Sequence, residues 1–149
     1  MNKVKNYMMR TLNSVGENDT LKEVIDTMYR TEMSVLPVVD EDNKFMGTIY
    51  GENILKNILP EQYGLLESHR LLYEVNQAAE NLQEIKNKAV KEYMSGATSV
   101  VKENDRMDNV ADIMLDNEES YLYVVNDERK LRGYISRADL LYYLSDVGE

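Results

Sequence analysis

The sequence contains the same segment twice. Residues 4–59 align with residues 90–145 without a gap, and 20 of the 56 aligned positions are identical. The identities fall in blocks, such as "VKNYM" with "VKEYM" and "END" with "END". Chance would give only a few identities, so the chain carries a duplicated unit, and two copies are too few for a solenoid. We therefore expect the two copies to pack on each other.

Local signals follow the same order in both copies. A short β-favouring run comes first, then an amphipathic helix that opens at "TLKE" in the first copy, which reads as a capping box. Next come a mostly apolar run ("SVLPVVD" or "SYLYVVN"), a polar turn, a second strand ("FMGTIY" or "LRGYIS") and a final helix. The pattern predicts a β-α-β-β-α unit whose first two strands are parallel and whose last two form an antiparallel hairpin.

These units predict an α+β fold. One unit has three short strands with helices on one side and is too small to bury both faces of its sheet, so we expect a pseudo-twofold pair of repeats. We assign residues 1–59 to the first repeat, 60–89 to a connector and 90–149 to the second repeat. The connector is predicted to be one long helix after the break at "PEQYG", packed on the flank of the pair or used for oligomerisation. We prefer the first reading, because two or three heptads make a weak coiled coil.

Composition excludes several classes of function. A net charge of −10 repels phosphate backbones and disfavours nucleic-acid partners. The absence of cysteine and the single His69 exclude thiolate and histidine-rich metal sites within one chain. There is no P-loop, no "GxGxxG" and no nucleophile–base constellation, so we expect no enzyme activity and no catalytic cofactor. We see no apolar span for a membrane and no signal peptide, and we expect a cytoplasmic protein.

Both copies resemble the cystathionine-β-synthase (CBS) domain. The resemblance is carried by "TLKEVIDTM" and "SVLPVVDEDNKFMGTI" in the first copy and by "YLYVVNDERKLRGYISRADL" in the second. It covers nearly all of the chain except residues 60–89. The resemblance implies a tandem pair with packed sheets, which in this family often dimerises and binds adenine nucleotides in the clefts between repeats. It also implies a regulatory sensor rather than a catalyst.

The family pattern Ser/Thr-x-x-Asp after the last strand matches the second copy at Ser136-Arg137-Ala138-Asp139. The resemblance implies that Asp139 binds the ribose, that Ser136 donates to ribose or phosphate, and that Arg137 is a phosphate cation. Carboxylates suit ribose hydroxyls, and the arginine fork suits phosphate. The short first strand of this copy, Thr98-Ser99-Val100, resembles the polar-then-apolar lip of the family's base slot, so the resemblance implies that these residues border the base. Tyr121 and Tyr123 of the second strand complete the candidate set.

Simpler interpretations exist for each of these residues. Asp139 could cap the last helix, because Ser and Asp are favoured near helix N-termini. Arg137 could be a solvated charge, and the two tyrosines could be core side chains. The first copy reads Tyr50-Gly51-Glu52-Asn53 at the motif. We predict that its cleft is degenerate or binds a smaller or less charged ligand, because the carboxylate is missing, Tyr50 could fill the space and Glu52 would repel phosphate.

We therefore expect a regulatory module that binds AMP, ADP or ATP, mainly through the second repeat. A homodimer would report to an unknown effector protein through a change in pair or dimer geometry. A ligand-free structural module for protein contacts is the first alternative. A different adenosyl ligand, such as S-adenosylmethionine, is the second. We expect neither a nucleic-acid nor a membrane partner.

Overall fold

The computed structural model describes residues 2–59, 68–96, 99–117 and 119–147, with the backbone alone over 68–74. Of the predicted site residues, Thr98 lies outside the described residues. Within the described part of the chain, no helix is long and apolar enough to cross a membrane.

The first repeat has the predicted order of elements. It contains β1 (Val15–Gly16), α1 (Leu21–Thr31), β2 (Val35–Val39), β3 (Phe45–Tyr50) and α2 (Gly51–Ile58), with the strands in the order β1-β2-β3. The predicted capping box is confirmed at the start of α1. The Glu23 backbone N donates to Thr20 Oγ1 at 3.2 Å, and the Thr20 backbone N donates to Glu23 Oε1 at 3.2 Å. These bonds satisfy two backbone donors that an uncapped helix would leave without partners.

The described part of the connector, residues 68–89, contains the helix α3 (Ser68–Ile85). The second repeat follows with β4 (Val100–Lys102), α4 (Met107–Asn117), β5 (Tyr121–Val125), β6 (Leu131–Ser136) and α5 (Arg137–Val147). Strand β5 pairs with β4 in parallel and with β6 antiparallel, as predicted for a βαβ crossover followed by a hairpin. The α+β fold with two three-stranded sheets is therefore confirmed.

The compact units of the structure do not coincide with the sequence repeats. One unit, which we call the second-repeat unit, comprises Met1–Ser14, Val39–Met46 and Ala97–Glu149. The other, the first-repeat unit, comprises Val15–Val38 and Gly47–Gly96. Each unit thus contains the first residues of the other repeat, which precede that repeat's first strand and which we call its preceding segment. The boundaries that we assigned from the sequence, residues 1–59, 60–89 and 90–149, stay a prediction.

The preceding segments complete the cores of the units. The side chains of Val4 and Met8 are buried in the second-repeat unit with Val101, Met107 and Leu122. In the first-repeat unit Val90 is buried, and Tyr93 and Met94 pack against the same core. Complete burial of such a side chain is worth about 1.5–3 kcal/mol. The repeated "VKNYM" and "VKEYM" blocks are therefore core-forming segments.

Each preceding segment also pairs with the last strand of its unit. Met9 and Tyr134 exchange backbone hydrogen bonds of 2.8 and 2.9 Å, and Thr48 and Ser95 exchange two of 2.8 Å. A Cβ added at Gly133 would collide with the carbonyl oxygen of Met9, and at Gly47 it would collide with that of Ser95. Glycine is needed at both positions because another backbone approaches closely.

Candidate functional site

Ser136 and Asp139 form the start of α5. The Ser136 backbone N and Oγ both donate to Asp139 Oδ2, at 2.8 and 3.0 Å, and the Asp139 backbone N donates to Ser136 Oγ at 3.2 Å. Asp139 is only 7% exposed. These bonds compensate for burying the carboxylate, and its charge is favourable beside the positive end of the helix dipole. The capping interpretation of Asp139 thus describes its local contacts, while a contact with ribose stays a prediction.

Arg137 lies between these two residues and is oriented by the connection from α4 to β5. Its backbone N donates to the Ser120 carbonyl oxygen at 3.0 Å, and its Nε donates to the Glu119 carbonyl oxygen at 3.1 Å. The side chain also lines a groove between α4 and α5. A contact between the Arg137 guanidinium and a phosphate stays a prediction.

The strand residues of the predicted site are brought together by sheet register. Val100 stands opposite Tyr123 across β4 and β5, and Tyr121 stands opposite Ser136 across β5 and β6. Ser99 precedes β4, and its Oγ accepts a hydrogen bond of 3.4 Å from Asn117 Nδ2. Two residues predicted from separate segments, Tyr121 and Ser136, therefore share one cross-strand pair.

The tyrosines form an aromatic cluster. The ring of Tyr121 lies 5.7 Å from that of Tyr123 and 6.2 Å from that of Tyr134, both edge to face. Tyr123 also packs on Phe45 at 5.4 Å and is only 3% exposed, within a core that includes Val125 and Leu131. Such geometry is favourable for aromatic pairs. Tyr123 therefore has the packing of a core residue, whereas Tyr121 is partly exposed.

Sequence reasoning missed Tyr134 as a member of this cluster. It lies two residues before Ser136 on β6, and its backbone also pairs with Met9. Residues two apart on a strand point to the same face. The signal that would have found Tyr134 was therefore available in the motif "GYISRADL" itself.

The first repeat keeps the backbone of this corner and changes its side chains. Gly51 N donates to the Ser34 carbonyl oxygen at 2.7 Å, which corresponds to the bond between Arg137 N and Ser120 O. Tyr50 occupies the N-cap of α2, where its side chain makes no capping hydrogen bond. The first repeat therefore lacks the Ser–Asp cap that organises the second.

No group of three or more His, Cys, Asp or Glu residues is arranged to hold a metal ion among the residues that the structure describes.

The amino-acid sequence of this chain is similar to those of several known proteins. The chain is 28% identical over 142 residues to the uncharacterized protein MJ1225 of Methanocaldococcus jannaschii, covering 95% of this chain and 47% of that protein. The chain thus spans about half the length of that relative. It is 29% identical over 142 residues to the CBS domain-containing protein MJ0729 of the same organism, covering 95% and 94% of the two chains.

Two solved structures show the same fold. The crystal structure of CBSX2 in complex with AMP has a TM-score of 0.70 at 17% identity and matches 100% of both chains. CBSX2 comes from Arabidopsis thaliana. The crystal structure of MJ1225 has a TM-score of 0.74 at 26% identity, over 95% of this chain and 47% of the other. At 17% identity the likeness to CBSX2 shows the fold alone.

The family model of the CBS domain matches this chain twice, over residues 4–60 and 90–146. These matches include both β-α-β-β-α repeats and the two preceding segments that pair with Tyr134 and Thr48. Together they cover well over half of the chain. The protein therefore belongs to the CBS-domain family, as a chain with two CBS domains.

Proposed function

We propose that this CBS pair is a regulatory module that binds an adenine nucleotide (AMP, ADP or ATP), mainly through its second repeat. The proposal is carried by Asp139. Its carboxylate is buried in the first turn of α5, both hydrogen bonds that it accepts from Ser136 fall on Oδ2, and Oδ1 accepts none from a described residue. A held carboxylate with one oxygen left is suited to accept hydrogen bonds from ribose hydroxyls.

The neighbouring groups suit the remainder of such a ligand. Arg137 follows Ser136 directly and supplies a guanidinium for phosphate. Ser99 and Val100 offer a polar and an apolar edge for the base, and Tyr121 offers a partly exposed ring that pairs across the sheet with Ser136. Thr98 and Tyr123 complete the proposed set, the latter from the core behind Tyr121.

The relatives support this ligand class. CBSX2 binds AMP, and MJ1225 is described as a proposed archaeal homolog of g-AMPK. Neither assigns a nucleotide to this chain. An adenine nucleotide is nevertheless the ligand for which the fold has a precedent and the second repeat has matching chemistry.

The output of the module is proposed to be regulatory rather than catalytic. Nucleotide binding would favour one geometry of a homodimer over another, and an effector protein would respond to that geometry. The coupling can be no larger than the difference in affinity between the two geometries.

Thermal unfolding with and without nucleotide tests the proposal. AMP or ATP at about one hundred times its Kd should stabilise the wild-type protein by about 2.7 kcal/mol. Asp139→Asn should remove most of this effect, because the amide oxygen can still accept from Ser136 N but the charge on the ribose acceptor is lost. Asp19→Asn is the matched control, because Asp19 Oδ2 accepts from Gly16 N at 2.8 Å, also three residues earlier in the chain, in the first repeat.

The two alternatives give different results in the same experiment. A ligand-free pairing module would show no shift with any nucleotide at millimolar concentration. A preference for S-adenosylmethionine would give its shift without one from AMP or ATP. Asn53→Asp should not create a second site in the first repeat, because Tyr50 and Glu52 remain; a second nucleotide bound by that variant would contradict this part of the proposal.

A further inference from the structure

Two arginines share one carboxylate in the second-repeat unit. Arg10 Nη1 donates to Glu103 Oε2 at 3.2 Å, and Arg132 Nε lies 3.2 Å from Glu103 Oε1. The side chain of Glu103 is 22% exposed, whereas those of Arg10 and Arg132 are 51% and 48% exposed. We call Arg10 and Arg132 the arginine pair. Both guanidiniums therefore reach solvent while the carboxylate between them holds them in place.

Backbone contacts bring the arginine pair together. Met9 and Tyr134 exchange two backbone hydrogen bonds; Arg10 follows Met9 in the preceding segment, and Arg132 stands two residues before Tyr134 on β6. Arg132 is the second residue of β6 and Ser136 is the last, which places their backbones about 13 Å apart at about 3.3 Å per residue. The arginine pair is therefore separate from the proposed nucleotide site.

The first repeat shows that the fold does not need the arginine pair. Glu17 occupies the position that matches Glu103, and the backbone bond beside it is the same: Lys91 N donates to the Glu17 carbonyl oxygen at 3.1 Å, and Lys5 N donates to that of Glu103 at 2.9 Å. The positions that match the arginine pair hold uncharged residues: Gly96 and Met46. Glu17 forms no ion pair with a described residue. Exposed ion pairs also contribute little to stability, so another role is needed for the arginines.

The chain around the arginine pair carries an excess of basic charge. Residues 1–16 contain three basic residues and no acidic one, although the net charge of the whole chain is −10. The backbone of Lys5 is bonded to that of Glu103, and the backbone of Lys3 pairs with that of Arg106. Both lysines are exposed, and neither forms an ion pair with a described residue. Their charges are therefore added to those of the arginine pair.

Neighbouring side chains leave this excess in place. Lys102 lies 3.4 Å from Asp127 and Arg106 lies 3.1 Å from Asp108, so these two pairs add no net charge. The carboxylate of Asp105 accepts a hydrogen bond of 2.9 Å from Lys102 N and pairs with no basic side chain among the described residues. The charges that remain belong to four basic and two acidic residues: Lys3, Lys5, Arg10, Arg132, Glu103 and Asp105. This group, which we call the basic surface, has a net charge of +2.

We propose that the basic surface binds an acidic segment of a partner protein, whose carboxylates contact the arginine pair. A guanidinium has five donors, and among the described residues Arg10 uses one in a hydrogen bond and Arg132 uses none. The two guanidiniums contact different oxygens of Glu103, and the lysines extend the positive charge along the preceding segment. Several separated carboxylates fit this arrangement better than one phosphate, which would have to approach Glu103 or displace it.

A labelled peptide tests the proposal with the full chain. The probe has about 12 residues, with glutamate at every second position and serine between, and the comparison peptide has glutamine in place of glutamate. Sodium chloride at about 0.1 M sets a Debye length of about 10 Å, so acidic residues elsewhere on the chain are largely screened from the probe. Fluorescence anisotropy should show the glutamate peptide binding about tenfold or more tightly than the glutamine peptide. Equal affinity for the two peptides, or no binding of either, would overturn the proposal.

Arginine variants locate the contact. Arg132→Met introduces the residue that the first repeat has at this position and should weaken binding of the glutamate peptide about fivefold, as should Arg10→Gln. Arg30→Met is the matched control, because it removes an exposed arginine of α1 with the same change in net charge, and its effect should stay below about twofold. An equal loss in Arg30→Met and Arg132→Met would mean attraction by net charge alone and would contradict the assignment.

A change of opposite sign is expected at the shared carboxylate. Glu103→Gln keeps the shape of the side chain and removes the charge between the arginines, so the glutamate peptide should bind about threefold more tightly. Glu17→Gln makes the same change in net charge at the matching position of the first repeat and should leave binding within about twofold. If Glu103→Gln gave no tighter binding, or if both variants gave the same gain, the arginine pair would not be the contact.

Two further measurements exclude other occupants. Inorganic phosphate at about 10 mM should displace the glutamate peptide no more than sodium chloride of equal ionic strength does; stronger displacement would assign the arginines to a single phosphate. In sedimentation equilibrium Arg132→Met should keep the oligomeric state of the wild type, and dissociation would assign the basic surface to a second copy of the chain. Asp139→Asn should bind the glutamate peptide as the wild type does, so this result is independent of the proposed nucleotide site. Circular dichroism should show an unchanged fold for every variant.

Discussion

Lys44 and Lys130, which occupy the same position in the two repeats, pair with each other as an antiparallel bridge. Around them, Phe45 N donates to the Arg129 carbonyl oxygen at 2.9 Å and Leu131 N donates to the Asn43 carbonyl oxygen at 3.0 Å. Asn43 Nδ2 adds a bond of 3.1 Å to the Leu131 carbonyl oxygen. The turns of the two hairpins are therefore joined within the second-repeat unit, through backbone groups at equivalent positions.

The first prediction concerns the backbone of these turns. Asn43 and Arg129 both have a φ of 64°, in the left-handed region. Asn tolerates this region better than Arg does, and glycine tolerates it best. Arg129→Gly should therefore be more stable than Arg129→Ala by about 1 kcal/mol in urea denaturation, although both remove the same charge. An alanine variant as stable as the glycine variant would show that the turn carries no strain.

The second prediction tests the contact between each preceding segment and its strand. Gly133→Ala and Gly47→Ala should each lower the free energy of unfolding by about 1–3 kcal/mol, because the new methyl group would collide with a backbone carbonyl oxygen. Gly96→Ala is the control. Beyond its chain neighbours, no atom of a described residue lies within 4 Å of the position that a Cβ would occupy there, so its effect should stay within about 0.5 kcal/mol. Comparable losses for all three would refute the close-approach explanation.

The third prediction concerns Tyr7, whose hydroxyl donates to Asp146 Oδ2 at 3.1 Å. Desolvation, followed by the hydrogen bond to Asp146 and the negative charge of that carboxylate, raises the pKa of Tyr7 above its ordinary value of 10.0. The folded state thus holds this proton more tightly than the unfolded state. The associated stability is present below pH 10 and is lost as the pH rises through the folded pKa.

Asp146→Asn should lower the pKa of Tyr7, because the charge is removed while a hydrogen-bond acceptor remains. The pKa can be followed by carbon-13 NMR of the tyrosine Cζ atoms, with Tyr7→Phe used to assign the resonance. Asp127→Asn, in the distant hairpin turn, should leave the titration unchanged. If the aspartate at position 146 had no influence on the Tyr7 titration, the proposed electrostatic link would be wrong.

Much of the fold could be predicted because its signals are local. Spacing of apolar residues located α1 and α4, the "TLKE" box located a helix start, and apolar runs separated by a polar turn located both hairpins. Val4 of the first repeat is buried in the second-repeat unit, and Val90 of the second repeat is buried in the first-repeat unit. This exchange of segments could not be predicted from local signals. It depends on pairing between distant segments, and the repeated blocks at 4–8 and 90–94 and the repeated glycine at 47 and 133 do not show which unit each segment joins.

The candidate site was predictable to a similar extent. Ser136 and Asp139 are three residues apart at a helix start, and this spacing predicts the hydrogen bonds that they form with each other. The burial of Tyr123 against Phe45 was not foreseeable, because Phe45 comes from the hairpin of the other repeat. A ligand role for Asp139 cannot follow from its cap alone, since the same contacts stabilise a helix without any ligand.

Native mass spectrometry of the protein in the presence of AMP tests the central claim most directly, because one spectrum reports both oligomeric state and bound nucleotide. We predict a dimer with one AMP per chain for the wild-type protein and for Asp19→Asn, and a dimer without AMP for Asp139→Asn. A spectrum in which the wild-type protein stays free of AMP at millimolar concentration, or in which Asp139→Asn binds as much AMP as the wild type, would contradict the account.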